Sequence, residues 1–516
     1  LSSSSAASDV YKRQGGKKSE MCTLIITEGD SAKSTAMSGL DIVGRDLYGV
    51  FPLKGKMLNV RDAKNFKKIS ENEEIKNLIT IMGLKIGEKY KDRKHLRYGK
   101  IMCLTDQDED GSHIKGLLFN LFDYLWPDLF SIDGFSNSML TPLIKVTLKG
   151  QQISFYTISD FKLWEQNNSK KYTAKYYKGL GTSTSKEAKE YFKELKIIKY
   201  KTTDKEDKEA INMAFGKHEG SSDIRKKWLS GYIREETLDY KKQTISIEDF
   251  INKDLMHFSN SDNIRSIPSL VDGLKPSQRK VIYGTFKKNI KTEIKVAQLA
   301  SAVSELSAYH HGEVSLHGTI VNMAQDFVGS NNLPLMEPIG QFGTRIMGGK
   351  DAAQPRYIYT NFQKHTLNIF MKEDEPVYNY LNDEGKQIEP EYYVPTIPII
   401  LVNGSQGIGT GWSTDIPPFN PCDIIKNIER YIDNKSMNEM VPYYYGFKGT
   451  ISKIDNTTFK TKGIYKIEKN KITITELPVG MWSQKYKDYI ETLVIDSNSK
   501  NKTSKQFIKY LSLIHI

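Results

Sequence analysis

The chain has 516 residues, which leaves room for three or four domains at roughly 100–200 residues each. Hydrophobic residues make up 38% of it and charged residues 26%, so its composition excludes wholesale disorder and fibrous folds. No apolar run approaches the roughly 20 residues that a membrane helix needs, which excludes a membrane-spanning function. The net charge of +12 permits a polyanionic partner such as nucleic acid, although a basic surface alone does not require one.

The cysteines and the two ends of the chain set further limits. Three cysteines lie far apart in the sequence, which argues against a disulfide framework and against a cysteine zinc site. Any metal would therefore use oxygen or histidine ligands. Residues 1–20 predict a disordered or artefactual tail, because they are rich in Ser, Gly and Lys without an apolar pattern. Residues 511–516 end a helical pattern without a cap, so we expect this chain to be a piece of a longer protein.

Two strand, turn and helix patterns place acidic residues at the ends of predicted strands. The apolar residues 23–27 run into Glu28 and then into a stretch of small helix-forming residues. Residues 100–105 repeat this design and run into a second acidic turn before a predicted helix at 114–125. Ligands bind beyond the carboxyl ends of strands in an open α/β sheet, so these turns predict a binding site.

The acidic turns supply the oxygen ligands that Mg²⁺ prefers, since this ion takes a few carboxylates and keeps its other positions for water or phosphate. The candidate ligands are Glu28, Asp106, Asp108 and Asp110. Spacing of two along an extended turn puts Asp106 and Asp108 on one side, where they can share an ion. An EF-hand loop opens with the same aspartates, but Leu117 stands where its bidentate Glu belongs and a strand precedes the motif. A solvated acidic turn is the other alternative.

The remainder of the chain divides by composition. Residues 186–234 are lysine-rich with a helical pattern and predict a solvated linker. Short helical patterns then alternate with Pro and Gly, which suggests a DNA binder of the helix-turn-helix type. These patterns lie at 247–260, 275–287 and 296–309. Apolar runs at 397–402 and 472–477, set among turn residues, predict strands of a third unit.

Four strings of residues, in this order, resemble the Toprim half of a type IIA DNA topoisomerase. They are residues 28–32, 52–60, 106–115 and 177–182, which read EGDSA, PLKGKMLNV, DQDEDGSHIK and YKGLGT. The resemblance implies that Mg²⁺ is held by the acidic residues named above. The DNA contacts that it implies in this half are Lys54, Lys56 and Asn59.

The tyrosine at position 357 lies in a segment, residues 351–360, that is similar to the active-site segment of the same family. The resemblance implies that Tyr357 attacks a DNA phosphodiester and that Arg356 supplies a permanent charge beside it. A phenol with a pKa of about 10 is mostly protonated at neutral pH, so it needs a nearby cation or base. The dipeptide at 354–355 departs from the small residues usual in the family, and Tyr359 is interpreted as a packing residue.

Residues 267–280 and 308–313 resemble the winged-helix module of these enzymes. By that match Arg279 and His311 approach the scissile phosphate, where they stabilise charge and help to move a proton. The DNA contacts implied in this module are Lys275 and Lys280. The adjacent His310 and His311 could bind a metal instead, although no third ligand stands nearby in the sequence.

A glycine-rich stretch at 407–413 could be taken for a phosphate-binding loop, but it has no Lys in a P-loop position and no dinucleotide fingerprint. The resemblance implies a different use, in which Ile408 wedges between base pairs and bends the duplex. The alternative is a buried isoleucine in a glycine-rich turn.

The fold class implied by the resemblance is a multidomain protein of α/β and α+β type. It would contain a Rossmann-like Toprim domain, a winged-helix domain and a mixed α/β tower domain. The expected bounds are 21–150 for the Toprim domain, 151–245 for its extension and a helical linker, 246–395 for the winged helix and 396–516 for a truncated tower.

The function implied by the resemblance is that of the DNA breakage-reunion core of an ATP-dependent type II topoisomerase. Double-stranded DNA would be the partner, Mg²⁺ the cofactor and a homodimer the working form, with ATP used by an N-terminal module that we expect outside this chain. The resemblance is to the eukaryotic or large-virus form, which implies the nucleus or a cytoplasmic viral factory. A Toprim nuclease or primase, which would leave ends free of protein, and a non-catalytic DNA-bending scaffold are the alternatives.

Overall fold

The computed structural model describes residues 16, 18–177, 179–202, 204–383 and 385–494. Its chain divides into two compact units, one of Leu1–Asn263 with Thr410–Trp412 and one of Ile264–Gly409 with Ser413–Ile516. Most of the predicted tail at 1–20, and the end of the chain from 495 onwards, lie outside the described residues. None of the helices in these ranges is long and apolar enough to cross a membrane.

The first unit is built on a mixed sheet with the strand order β2-β1-β3-β4-β8-β9, in which the first four strands are parallel and β8 and β9 run in the opposite direction. A second, antiparallel sheet has the order β6-β5-β7. The strands are β1 Thr23–Glu28, β2 Tyr48–Leu53, β3 Lys100–Leu104, β4 Ser136–Met139, β5 Ile144–Leu148, β6 Gln151–Phe155, β7 Thr173–Tyr176, β8 Ile197–Lys201 and β9 Thr244–Ser246.

The helices that cover these sheets are, in chain order, α1 Gly29–Val43, α2 Phe66–Ser70, α3 Glu73–Met82, α4 Glu109–Leu125, α5 Pro127–Phe130, α6 Ile158–Gln166, α7 Ser185–Glu194, α8 Lys205–Phe215, α9 Ser221–Ser230, α10 Ile247–Phe250 and α11 Met256–Ser266. A π-helical turn, Ile251–Leu255, joins α10 to α11. Helix α4 begins earlier than the predicted residue 114 because the Asp108 carboxylate caps it by accepting a hydrogen bond from the Gly111 amide.

Strand β1 is buried on both faces, because successive side chains alternate between two apolar layers. Leu24 and Ile26 join a cluster that includes residues of α4, whereas Ile25 joins a cluster built with α1 and α7. A strand that packs on both sides has no polar alternation, which is why the sequence shows a continuous apolar run here. The sheet therefore lies between helical layers in a Rossmann-like arrangement.

The lysine-rich segment 186–234 predicts a helical linker, and it is helical over most of its length, in α7, α8 and α9. The prediction missed that the same segment contributes strand β8 to the main sheet, where Ile198 and Tyr200 are buried and pair with β4. Lysines alternate with apolar residues along this strand, so its charge masks a period of two. The first compact unit also extends to Asn263, past the expected boundary at 245, because Ile247 and Phe250 are part of its core.

A buried ion pair stabilises the first unit. The Lys115 ammonium lies 3.0 Å from an Asp254 carboxylate oxygen, and the Ser112 hydroxyl donates to the other oxygen at 2.7 Å. Burial alone would lower the pKa of Lys115, but the Asp254 charge raises it well above its ordinary value. The stabilisation that comes from the raised pKa of Lys115 is therefore fully present below the ordinary pKa of a lysine and is lost as the pH rises through the raised pKa.

Replacement of Asp254 by Asn is expected to lower the free energy of unfolding by about 3–5 kcal/mol, because the Lys115 ammonium is left buried without a counter-charge. Urea unfolding followed by tryptophan fluorescence measures this loss. The exposed pair of Lys205 and Glu209 supplies the control, since Glu209→Gln is expected to cost less than about 0.5 kcal/mol. Equal losses of unfolding free energy in the two variants would contradict a stabilising role for the buried Lys115–Asp254 pair.

The second unit is organised around helices whose apolar faces share one core with segments from 333 to 424. Its helices are α12 Pro276–Lys288, α13 Val296–Leu306, α14 Glu313–Ala324, α15 Thr366–Ile369, α16 Ile399–Val402, α17 Pro421–Ile432 and α18 Ser483–Glu491. Its strands form antiparallel pairs. They are β10 Ile294–Lys295 with β11 Tyr359–Thr360, β12 Tyr380–Asp383 with β13 Lys386–Pro390, β14 Ser405–Ile408 with β15 Ser413–Ile416, β16 Thr450–Lys453 with β17 Phe459–Lys462, and β18 Ile464–Glu468 with β19 Lys471–Glu476.

The apolar run at 397–402 predicts a strand, but the structure forms helix α16 there. Pro398 precedes the first helical residue, where its fixed φ and missing amide are tolerated. Ile399, Ile400 and Val402 are then buried, and a short apolar run of this length does not distinguish a buried strand from a buried helix. The predicted strand at 472–477 is observed as β19.

Candidate active site

The acidic residues of the first unit lie at one edge of its sheet. Glu28 is the last residue of β1, and β3 ends at Leu104, two residues before Asp106. These strands are parallel neighbours, with Thr27 opposite Leu104, so both carboxyl ends meet at the same edge. The chain pattern of two apolar runs ending in acids therefore predicted the position of this cluster.

The Glu28 carboxylate is strongly perturbed by burial and by its acidic neighbours. One of its oxygens, Oε2, is buried and has no hydrogen-bond partner in the described part of the chain. Burial raises the pKa of Glu28 to about 7, with further increases from the charges of Asp106, Asp108 and Asp110. A cation between these carboxylates would relieve this repulsion and favour the ionised form.

Asp106 and Asp108 are held by backbone amides. An Asp106 oxygen accepts a hydrogen bond from the Leu180 amide at 2.7 Å, while Asp108 caps helix α4. Burial raises the pKa of Asp106, against the lowering effect of the Leu180 amide. A side chain at Gly179 would place its Cβ 2.5 Å from an Asp106 carboxylate oxygen, so a larger residue there would displace this carboxylate. The YKGLGT string therefore matters because it holds the Asp106 carboxylate in place.

Asp110 and the three residues predicted to contact DNA in the first unit have different surroundings. The Lys56 ammonium lies 2.6 Å from Asp110 and 4.8 Å from the centre of the Phe258 ring, so Asp110 already has a counter-charge. Lys54 is exposed. Asn59 is half-buried and its amide donates to the Phe215 carbonyl at 2.9 Å, so a DNA contact by Asn59 stays a prediction.

The fit of a metal to this cluster can be judged from its donor atoms. In the described ranges, no group of three His, Cys, Asp or Glu side chains could hold a metal ion together, so Glu28, Asp106 and Asp108 do not form a three-ligand cage. Mg²⁺ does not need such a cage, because it binds through one or two carboxylates and keeps several waters. The unpartnered Glu28 oxygen beside Asp106 and Asp108 fits such an ion, whereas Asp110 is engaged by Lys56.

Tyr357 lies in the second unit, where its side chain is 65% exposed. A tight turn presents it, since the Tyr357 amide donates to the Gln354 carbonyl at 2.9 Å across Pro355. The Arg356 guanidinium lies 4.7 Å from the centre of the Tyr357 ring. The next residue, Ile358, is buried and anchors the segment, because its carbonyl accepts a hydrogen bond from the first residue of α13. Gln354 and Pro355 therefore belong to the turn that presents the exposed tyrosine.

The two adjacent histidines point to different partners. His310 Nε2 lies 2.6 Å from an Asp383 carboxylate oxygen on β12. The exposed His311 packs edge-on against Tyr309, with ring centres 5.3 Å apart. This divergence gives no support to a metal shared by the pair. Asp383, which lies 73 residues from His310, could not be assigned from the sequence.

The placement of Arg279 differs from the expectation that it approaches a phosphate. Its guanidinium is buried and forms two hydrogen bonds to the Asp272 carboxylate, at 2.7 and 3.0 Å. The same carboxylate accepts from the amides of Leu274 and Tyr393. In this arrangement Arg279 holds the loop before α12, and a phosphate contact by Arg279 stays a prediction.

Lys275 and Lys280, the two lysines predicted to contact DNA in the second unit, both have partners within that unit. The Lys275 ammonium donates to the Gln406 carbonyl at 2.8 Å, and burial lowers the pKa of Lys275. Lys280 is largely buried, with its ammonium 2.8 Å from Glu389. A counter-charge within the unit therefore already holds Lys280, and a DNA contact by Lys280 stays a prediction.

Ile408 ends strand β14 with its side chain 82% exposed. It pairs with Ser413 across the β14–β15 hairpin, which holds an apolar side chain out into solvent. The alternative of a buried isoleucine is therefore excluded. An exposed β-branched side chain on a hairpin has the form of the wedges that enter between base pairs.

Replacement of Ile408 by Ala is expected to lower the bent fraction of a bound duplex by about tenfold, because the smaller side chain does not hold two base pairs apart. Energy transfer between dyes at the two ends of a short duplex measures the bend. Ile425→Ala removes another exposed apolar side chain, on α17, and should leave the bend unchanged. Equal bending by the Ile408 variant and the unchanged protein would contradict the wedge.

Three family profiles match the chain in succession. The Toprim domain matches residues 23–132, the C-terminal associated domain of TOPRIM matches residues 139–263, and the DNA gyrase/topoisomerase IV family matches residues 265–510. A Toprim domain followed by a unit of the DNA gyrase/topoisomerase IV family is the arrangement of a DNA topoisomerase.

Individual relatives agree with this class. "DNA topoisomerase 2" of Plasmodium falciparum (isolate K1 / Thailand) is 52% identical over 93% of this chain and 35% of its own length, and "DNA topoisomerase 2-alpha" of Homo sapiens is 49% identical over 94% and 33%. The crystal structure of the Plasmodium falciparum topoisomerase II DNA-binding, cleavage and re-ligation domain has a TM-score of 0.74 and 50% identity, covering 95% of this chain and 67% of that one. The chain thus spans about a third of the length of these full relatives. It belongs to the type IIA DNA topoisomerases, and the predicted fold class is confirmed.

Proposed function

We propose that this chain is the DNA breakage-reunion part of an ATP-dependent type II DNA topoisomerase, acting on double-stranded DNA. The exposed Tyr357 beside Arg356 is the observation that carries the proposal. A packing tyrosine would be buried, as Tyr393 is. The likeness to a solved DNA-binding, cleavage and re-ligation domain supports the same function.

In the proposed reaction the Tyr357 oxygen attacks a DNA phosphorus atom. The new bond joins phosphorus to the phenolic oxygen, the bond to the 3′-oxygen breaks, and the 5′ end of the DNA stays attached to the protein. In this proposal Arg356 stabilises the negative charge that develops on the phosphate, and His311 takes up the phenolic proton. Since one phosphate ester replaces another, the break can be resealed without hydrolysis and this step needs no ATP.

The acidic cluster would complete the site. Glu28, Asp106 and Asp108 are the residues proposed to hold Mg²⁺, with Asp110 close enough to tune their charge. When bound, the ion supplies positive charge for the departing 3′-oxygen. The carboxylates themselves hold the site in place through the Leu180 and Gly111 amides.

The working form is proposed to be a homodimer in which the tyrosine of one subunit serves the acidic cluster of the other. Two such pairs would cut both strands of one duplex, which a single active site cannot do. The nucleus is the proposed location. The net charge of +12 suits a polyanionic partner held through its phosphates, so affinity should fall steeply with salt.

The proposal is tested by incubating the chain with plasmid and Mg²⁺, adding denaturant and digesting the trapped adduct. The expected product is a peptide that contains Tyr357 joined to the 5′ end of DNA. Broken DNA with ends free of protein would favour a Toprim nuclease. Bent but unbroken DNA would favour a non-catalytic scaffold.

A further inference from the structure

The segment 371–394 is an acidic stretch in a basic chain. It has two basic residues against seven acidic ones, a net charge of −5, whereas the whole chain carries +12. Two of these carboxylates have partners, since Glu389 pairs with Lys280 and Asp383 with His310. Four others form no ion pair among the described residues. They are Glu373, Asp374, Glu375 and Glu391.

A groove of about 270 Å³ lies between the two ends of this segment. Asp374, Val377 and Tyr378 line it from the first part of the segment, and Glu391 and Tyr392 line it from the last part. Val377 is 79% exposed and Tyr392 is 42% exposed, so apolar surface and carboxylates without an ion-pair partner lie in the same opening.

The groove is preformed because packed side chains fix its walls. The Tyr378 ring contacts the buried Tyr393 edge-on, with ring centres 5.3 Å apart, and its hydroxyl is buried. The first and last parts of the segment are also joined directly, because the Glu391 amide donates to the Asn379 carbonyl at 2.9 Å. A ligand therefore meets a rigid surface, which lowers the entropy cost of binding.

We propose that this groove binds an extended, lysine- or arginine-bearing segment of a partner protein. Cationic side chains would pair with Asp374 and Glu391, and apolar side chains between them would cover Val377 and Tyr392. Two carboxylates in one groove favour a chain with more than one positive charge, and the tyrosine faces accept a stacked guanidinium. Nucleic acid is disfavoured at this surface because carboxylates without an ion-pair partner repel phosphate.

A short fluorescein-labelled peptide of alternating Lys and Leu, titrated with the full chain and followed by anisotropy, tests the proposal. Asp374→Asn combined with Glu391→Gln should weaken binding by about tenfold or more, because two ion pairs are lost. Asp423→Asn combined with Glu429→Gln removes the same charge from the exposed face of α17 and should change the affinity less than about twofold. Val377→Ser should weaken binding by about threefold, because apolar contact is lost without a change of charge.

Several results would overturn this inference. The proposal fails if the unchanged protein does not bind the Lys-Leu peptide, or if it binds a matched Glu-Leu peptide equally well. Equal weakening by the groove variant and the α17 variant would show attraction by net charge alone. Displacement of the peptide by millimolar Mg²⁺ at constant ionic strength would show a cation site, and displacement by a second copy of this chain would show a self-association surface.

Discussion

Tyr357→Phe is expected to abolish protein-linked DNA while leaving DNA affinity within about twofold. The change removes only the hydroxyl oxygen that would form the bond to phosphorus, so no other group on that ring can replace it. Because the side chain is exposed, the substitution leaves no cavity and the free energy of unfolding should not change. The adduct is measured by denaturant trapping on labelled plasmid, and the affinity by filter binding in the same buffer.

The matched control for this prediction is Tyr359→Phe. Tyr359 lies two residues further on, in β11, where it pairs with Lys295 and is half-buried. This variant should form the covalent adduct at the unchanged rate. If Tyr357→Phe still gives protein-linked DNA, or if Tyr359→Phe loses it, the nucleophile is a different residue.

Asp106→Asn is expected to lower Mg²⁺-dependent cleavage by at least about 10²-fold. The asparagine amide oxygen can still accept the hydrogen bond from the Leu180 amide, so the loop at 177–182 stays in place and only the charge is lost. Rates of adduct formation over a range of Mg²⁺ concentrations measure the effect. The dependence on Mg²⁺ should shift to higher concentration as well, because one ligand charge is missing.

Asp128→Asn provides the comparison for this second prediction, because it removes a carboxylate from the exposed side of α5 in the same unit. Its cleavage rate and metal dependence should match those of the unchanged chain. An Asp106 variant with unchanged metal dependence would remove this cluster from the proposed reaction. A general loss in both variants would indicate instead that net charge limits DNA binding.

The sequence predicted the features that depend on short-range patterns. The apolar runs before Glu28 and Asp106 predicted two strands, and parallel neighbours necessarily bring their carboxyl ends together. Tyr357 could be singled out because residues 351–360 are similar to the active-site segment of the family. The sequence did not reveal the turn across Pro355 that exposes the ring.

Features that depend on distant partners could not be predicted in this way. Lys280 pairs with Glu389, which lies 109 residues away in the sequence, and the residues around either one do not indicate this pairing. Strand β8 was missed because lysines on its exposed face outweighed the buried Ile198 and Tyr200 when the segment was judged by composition. Helix α16 was missed because four apolar residues in a row fit a buried strand or a buried helix equally well.

The buried Asp272 carboxylate has a mechanical consequence. It accepts hydrogen bonds from the loop that leads into α12 and from the amide of Tyr393, which lies 121 positions further along the chain. One carboxylate thus joins the segment that carries Lys275 to Tyr393, which packs against Tyr378 of the groove. If either segment moved alone, the Asp272 carboxylate would be left buried without its hydrogen bonds, so a displacement of one segment has to be transmitted to the other.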